Sequence, residues 1–168
     1  MRKLTLAIGL VAIPFLFSQP LMAARPQLHP AGPCLPSSEF SLSGLRLHQS
    51  EHAVRLALGR PRRVTFEEGE DDGGFHTVVV LHYGHLKVGI VRGVVDRLYT
   101  DSPRASTPSG IKPGMRLGDV RRVWGGEPKA FDGRLLHGPS CDETKPAYLV
   151  LKFKRGMLSS IDISADRP

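Results

Sequence analysis

The stretch Gly110 to Pro128, GIKPGMRLGDVRRVWGGEP, decides how the chain is read, because Gly44 to Pro61, GLRLHQSEHAVRLALGRP, carries nearly the same pattern. At an offset of 66 residues Gly44 falls on Gly110, Leu45 on Ile111, Arg46 on Lys112, Val54 on Val120, Arg55 on Arg121, Leu58 on Trp124 and Gly59 on Gly125. A second echo follows each copy. KVGIVRGVVDRLYT (Lys87 to Thr100) and VLKFKRGMLSSIDI (Val150 to Ile163) each set an Arg-Gly pair between two apolar runs, with Gly93 answering Gly156 at an offset of 63. Two copies of one helix-plus-hairpin unit are therefore expected, the second shorter by three residues between helix and hairpin.

In the first copy Ser50 precedes EHAVRLAL, Gly59 follows it and Pro61 lies just beyond. A hydroxyl to accept from a free N–H, Glu51 near the positive helix end and a glycine at the far end are helix start and stop signals. Ala53, Val54, Ala57 and Leu58 supply an apolar stripe. Strands are predicted at Val64 to Phe66, His76 to Tyr83, Leu86 to Val91 and Val94 to Thr100, with the acidic run Glu67 to Asp72 as a solvated tip. That run lacks the ordered carboxylate spacing of a calcium loop. In the second copy a helix is predicted from Leu117 to Trp124, stopped by Gly125 and carrying Asp119 at its positive end. After a loop from Glu127 to Lys145, with a short strand near Arg134 to His137, come strands Ala147 to Lys154 and Met157 to Ser164. In AYLVLKFK, Leu149, Leu151 and Phe153 alternate with Tyr148, Val150 and Lys152, so one face covers helices and the other meets water.

The predicted fold class is α+β: a tandem duplication of a helix plus antiparallel-strand unit, giving a twisted antiparallel sheet with both helices packed on one face. Residues 1–24 read as a signal peptide, 25–43 as a Pro-rich extended arm, 44–103 as the first repeat and 104–168 as linker plus second repeat. The last two form one domain, because the linker DSPRASTPS is short.

Export is read from MRKLTLAIGLVAIPFLFSQPLMAARP: Arg2 and Lys3, an apolar run from Leu4 to Phe17, then small residues at Ala23 and Ala24. The run falls short of the roughly 20 residues that span a bilayer and contains Pro14, so the mature chain is expected to lack a transmembrane segment. Loss of Arg2 and Lys3 lowers the formal net charge of +7 by two. The remaining excess favours anionic partners, and export to a bacterial periplasm or the exterior speaks against nucleic acid. In such a compartment Cys34 and Cys141 most simply form one disulfide, the competing roles being nucleophile or metal thiolate.

Three features carry possible chemistry. His48-Gln49-Ser50-Glu51-His52 matches the H-x-x-E-H pattern of one group of zinc peptidases, which need both imidazoles on one continuous helix. Ser50 as cap starts the helix after His48 and removes that geometry. His76, His82 and His85 form a second cluster, read as a zinc or copper site or as ordinary strand residues. No Ser-His-Asp order, glycine-rich phosphate loop or pair of catalytic carboxylates stands out, so no catalytic residue, metal or cofactor is assigned. The third feature is basic: Arg46, Arg55, Arg60, Arg62 and Arg63 in one copy, and Lys112, Arg116, Arg121 and Arg122 in the other.

The motif of glycine, Leu or Ile, a basic residue, and a helix ending in hydrophobic-Gly, followed by strands paired about a glycine turn, occurs twice. It resembles the bacterial envelope proteins of the SmpA/OmlA type and is similar to the tandem-repeat beta-lactamase inhibitory proteins. Gly44, Leu45, Val54, Leu58, Gly59 and Pro61 carry the resemblance, and again Gly110, Ile111, Gly114, Val120, Trp124 and Gly125, over roughly residues 41 to 166. It implies a unit that binds other proteins and has no catalytic centre. The lipoprotein cysteine of the assembly members is absent, and no inhibitor contact residue can be matched. The expected function is an exported, non-enzymatic module holding an envelope or secreted protein. The contact residues expected are Tyr83, Tyr99, Tyr148 and Phe153 on the open sheet face, some of which must be core, or Arg46, Arg55, Lys112, Arg121 and Arg122 on a basic side. Binding of lipopolysaccharide or cell-wall polymer through the arginines is the alternative, followed by a metal-dependent hydrolase.

Overall fold

Leu98 is buried and its neighbours Arg97 and Tyr99 are not; Leu149, Leu151 and Phe153 alternate in the same way with Tyr148, Val150 and Lys152. This period of two puts one side of each strand into a core and leaves the other open. A computed structural model of the chain describes residues 34–71, 74–125 and 135–165. The expected export segment at 1–24 and the first part of the Pro-rich arm, 25–33, lie outside the described residues.

A 3-10 turn (Ser37–Glu39) leads into β1 (Ser41–Leu42), β2 (Leu45–Arg46), α1 (Glu51–Leu58), β3 (Arg63–Asp71), β4 (Gly74–His82), β5 (Lys87–Val91) and β6 (Val94–Thr100). Then follow α2 (Leu117–Trp124), β7 (Leu135–Pro139), β8 (Tyr148–Lys154) and β9 (Met157–Ser164). β3 to β9 form one antiparallel sheet in the order β3-β4-β5-β6-β9-β8-β7. The fold is thus α+β, mostly antiparallel strands with two helices. Val54 of α1 and Val120 and Trp124 of α2 join one hydrophobic cluster with Leu81, Val88, Leu98, Leu149, Leu151, Ile161 and Ile163 of the sheet.

The helix signals act locally as expected. Ser50 accepts from the Ala53 N–H at 3.2 Å, and the Gly59 N–H closes on the Arg55 carbonyl at 2.9 Å. α2 has no side-chain cap; Gly125, at φ +75°, ends it by donating to Arg122. Within the apolar stripe of α1, Val54 is fully buried, Ala53 and Leu58 are half-buried and Ala57 is exposed.

Matching backbone bonds seat each helix start on a hairpin. In the first half His48 donates to Val95 and Glu51 to Gly93, at 2.8 and 2.9 Å; in the second Gly114 donates to Leu158 and Leu117 to Gly156, at 2.8 and 3.1 Å. Both hairpins turn at Arg-Gly pairs with positive φ, 50° and 80° at Arg92-Gly93 and 54° and 75° at Arg155-Gly156, as a two-residue turn that follows strand twist requires.

Two expectations are corrected here. The acidic run is no tip: Glu67, Glu68 and Glu70 are paired strand residues of β3, opposite Val78, Thr77 and Phe75 of β4, because the hairpin is longer than its apolar residues indicated. The end of the arm is also not merely extended. Glu39, Phe40 and Leu42 are buried, and the Glu39 carboxylate accepts from the Ser109 hydroxyl at 2.6 Å, which fixes the arm to the linker.

Cys34 and Cys141 form a disulfide across 107 residues. Beside it Leu35 lies along the continuation of β7, donating to Pro139 at 2.7 Å and accepting from Cys141 at 2.9 Å. Reduction of the bond, or Cys34→Ser with Cys141→Ser, is expected to lower unfolding free energy by about 2 to 5 kcal/mol in urea titrations, since closing so long a loop restricts the unfolded chain. His48 and Gly114 occupy matching positions at φ 61° and 96°, and nothing lies within 4 Å of a Cβ built on Gly114. Gly114→Ala is therefore expected to cost about 1 to 2 kcal/mol through backbone strain alone, whereas His48→Gly should be neutral or stabilising in the same assay.

Candidate functional site

The face of the sheet turned away from the helices is built in transverse rows by strand register. One row runs Arg63, His82, Lys87, Tyr99, Asp162 and Val150 across β3, β4, β5, β6, β9 and β8. The next runs Thr65, Val80, Gly89, Arg97, Ser164 and Tyr148. Tyr99, Tyr148 and Val150 are half-buried among these polar neighbours.

Local interactions order the side chains. Arg97 reaches diagonally to Asp162, its Nε donating to Oδ1 at 2.8 Å and its Nη2 bonding Oδ2. Donating hydrogen bonds to the Asp162 carboxylate raises the Arg97 pKa above its ordinary value and outweighs its partial desolvation. Gly89 makes room for this: a Cβ there would stand 3.1 Å from Cβ of Arg97. The Lys87 ammonium sits 4.9 Å from the centre of the Tyr99 ring, in cation–π range. His82 Nε2 and the Thr65 hydroxyl lie 2.9 Å apart.

At one margin of this face a cleft of about 160 Å³ opens between Arg62, His82, Gly84, His85, Leu86, Lys87, Tyr99, Thr100 and Asp101. The Arg62 N–H donates to the His82 carbonyl at 2.8 Å, and the Thr100 hydroxyl to the His85 carbonyl at 2.6 Å, so three connecting segments are held around it.

The residues singled out from sequence divide. Tyr99 and Tyr148 lie on the open face. Tyr83 does not: it is 8% exposed, its hydroxyl donates to the Gly59 carbonyl at 3.3 Å, and burial pushes its pKa up, Arg55 countering and Glu51 adding to the rise. Phe153 is core as well. Tyr83 continues the buried alternation of Leu81 one residue past β4, and Phe153 falls on the covered face with Leu149 and Leu151, as its own alternation predicts. Arg55 pairs with Glu51 at 2.7 Å and Arg122 with Asp119 at 3.2 Å, each within its own helix; Arg46 on β2 and Lys112 before α2 are exposed, and Arg121 is half-buried. His48 lies outside α1 with positive φ, so it does not share a helix with His52. His76 and His82 face the same way but six residues apart on one strand, about 20 Å, too far for one metal. No group of three or more metal-binding side chains occurs among the described residues, and none of their helices is long and apolar enough to cross a membrane, which says nothing of strands. The cleft itself was not foreseen. Its signal was the run His82, His85, Lys87 about Gly84, but only the pairing of β4, β5 and β6 brings Tyr99 and Asp101 to it.

The Arg97–Asp162 pair is 53% and 25% exposed, so its contribution to stability is small. A double-mutant cycle with Arg97→Gln and Asp162→Asn is expected to give a coupling of about 0.2 to 1 kcal/mol that shrinks as salt rises.

No protein-family model matches the chain, and no curated protein matches it significantly. Among solved structures it is similar to an extracellular protein containing an SCP domain from Bacillus anthracis, at 14% identity and a TM-score of 0.48, over 71% of this chain and 44% of that one. It is also similar to the uncharacterized protein yfeY from Escherichia coli, at 13% identity and a TM-score of 0.45, over 83% of this chain and 97% of that one. The chain spans less than half of the Bacillus protein, and likeness at this level carries no statement about function.

Proposed function

We propose that the chain is an exported, non-enzymatic protein-binding module that holds an envelope or secreted protein against the open face of its sheet. The supporting observation is the double row just described: Tyr99, Tyr148 and Val150 are set on paired strands and flanked by Lys87, Arg97 and Asp162. Tyr and Arg, anchored and partly desolvated, are the residue types that supply most binding energy in protein interfaces. A rigid sheet positions them without the ordering cost that a loop incurs. The disulfide is what an oxidising compartment permits and favours export. We read the matching helix-to-hairpin bonds as the trace of a tandem duplication, and keep the kinship with SmpA/OmlA-type proteins and beta-lactamase inhibitory proteins as part of this proposal. Capture of anionic lipid or polymer by the helix arginines is less favoured, because Arg55 and Arg122 each have a carboxylate partner on their own helix.

Affinity capture with the oxidised chain from an envelope extract, washed at low and high salt, tests this reading. One protein is expected to stay bound through high salt, and Tyr99→Ala with Tyr148→Ala to weaken it by about 2 kcal/mol, roughly thirtyfold. Retention of lipid or polymer alone, released by salt, overturns it; so does a retained protein indifferent to both tyrosines.

A further inference from the structure

We propose that the cleft beside the open face is a binding site for a compact phosphoryl oxyanion, with Arg62 and Lys87 as its principal charges. The cleft shares Lys87 and Tyr99 with the open face, but its assignment does not require that the face bind a protein.

Four nitrogen-bearing side chains, Arg62, His82, His85 and Lys87, line one small opening with a single carboxylate, Asp101. Among the described residues no ion pair engages Arg62 or Lys87, in contrast to Arg55, Arg97 and Arg122, whose charges are each met by an acid. Both cations are nevertheless positioned. Lys87 is steered by the Tyr99 ring. Arg62 lies against Gly84, where an added Cβ would stand 3.2 Å from its Cζ and 3.3 Å from its Nη1. Gly84 also has φ +75°, so a glycine both makes the turn and leaves the guanidinium its place.

The donor set selects the ligand class. A guanidinium offers a two-pronged fork, an ammonium a point charge, and imidazoles further N–H donors. A planar carboxylate has two oxygens to meet them; a phosphoryl group has three or more and greater negative charge. The size agrees, since the cleft is smaller than the roughly 300 to 1,000 Å³ of sites for drug-sized molecules and suits a small ion or a head group. The phosphoryl group comes either from a soluble phosphate or from a phospholipid, and experiment separates these sources.

The test is a ¹⁵N NMR titration of the oxidised full chain with inorganic phosphate, ionic strength being held constant with chloride. Saturable shifts at the amides of Gly84, His85, Lys87 and Asp101 are expected, with Kd on the order of 1 mM. Arg62→Ala or Lys87→Gln should weaken binding about fivefold or more, and Asp101→Asn should strengthen it about twofold by removing the one opposing charge. That opposite sign is not produced by damage to the fold, and Tyr148→Ala should leave phosphate binding unchanged. A parallel sedimentation assay compares phosphatidylglycerol with phosphatidylcholine vesicles. Phosphate binding without vesicle binding identifies a soluble ligand; phosphatidylglycerol-selective binding that free phosphate competes away identifies a lipid head group. Shifts that fail to saturate, or that chloride reproduces, or that ignore Arg62→Ala and Asp101→Asn, overturn the site.

Discussion

Four backbone pairs between β6 and β9, from Arg97 with Ser164 to Thr100 with Ile161, hold the two halves of the chain in one sheet. Each half has its own helix and antiparallel strands, β3 to β6 in the first and β7 to β9 in the second. Pairing β6 with β9 places Leu98 beside Ile163 and Thr100 beside Ile161, so that the buried faces of both hairpins become a single surface. Val54, Val120 and Trp124 then fill one cluster instead of two. The same pairs bring Tyr99 beside Asp162 on the other side and create the rows of the open face.

Joining the halves leaves two sheet edges, β3 and β7, and the sequence treats them differently. β3 carries exposed Glu67 and Glu68, charges that oppose edge-to-edge association. β7 ends in Pro139, and Leu35 lies along its continuation beside the disulfide. Gly138 is part of that closure: a Cβ there would run into the Leu35 side chain and stand 3.6 Å from the Trp124 ring, so the glycine lets the arm and α2 pack over the strand. The disulfide thus holds a piece of chain that covers an edge, besides shortening the unfolded loop.

The charged groups of the surface fall into two kinds. Arg55, Arg97 and Arg122 are matched by acids within the same helix or on the neighbouring strand, which limits their reach toward any ligand. Arg62 and Lys87 are held in place by a glycine backbone and an aromatic ring, neither of which neutralises them. Counting basic residues along the chain does not separate these cases, whereas the identity of the neighbour does.

Much of the fold was legible in the sequence because local physics writes it there. Ser50 and Gly59 bound α1, Gly125 ends α2, Arg-Gly pairs turn both hairpins, and alternation in Tyr148–Lys154 assigns its faces. The cysteine pairing followed from there being only two. The same alternation in β8 puts Phe153 with Leu149 and Leu151 on the buried face and Tyr148 on the open one. Tertiary structure decided what Tyr83 meets: this residue follows buried Leu81 and turns its hydroxyl to Gly59. It also decided that the acidic run is strand, since Glu67 and Glu68 pair with residues on β4. The cleft is the clearest instance: Arg62, His85 and Asp101 are separated by loops and strands along the chain, and meet only because β4, β5 and β6 pair in register. Caps and turns depend on residues a few positions apart, while a site depends on which strands become neighbours, and that is fixed by the packing of the whole core.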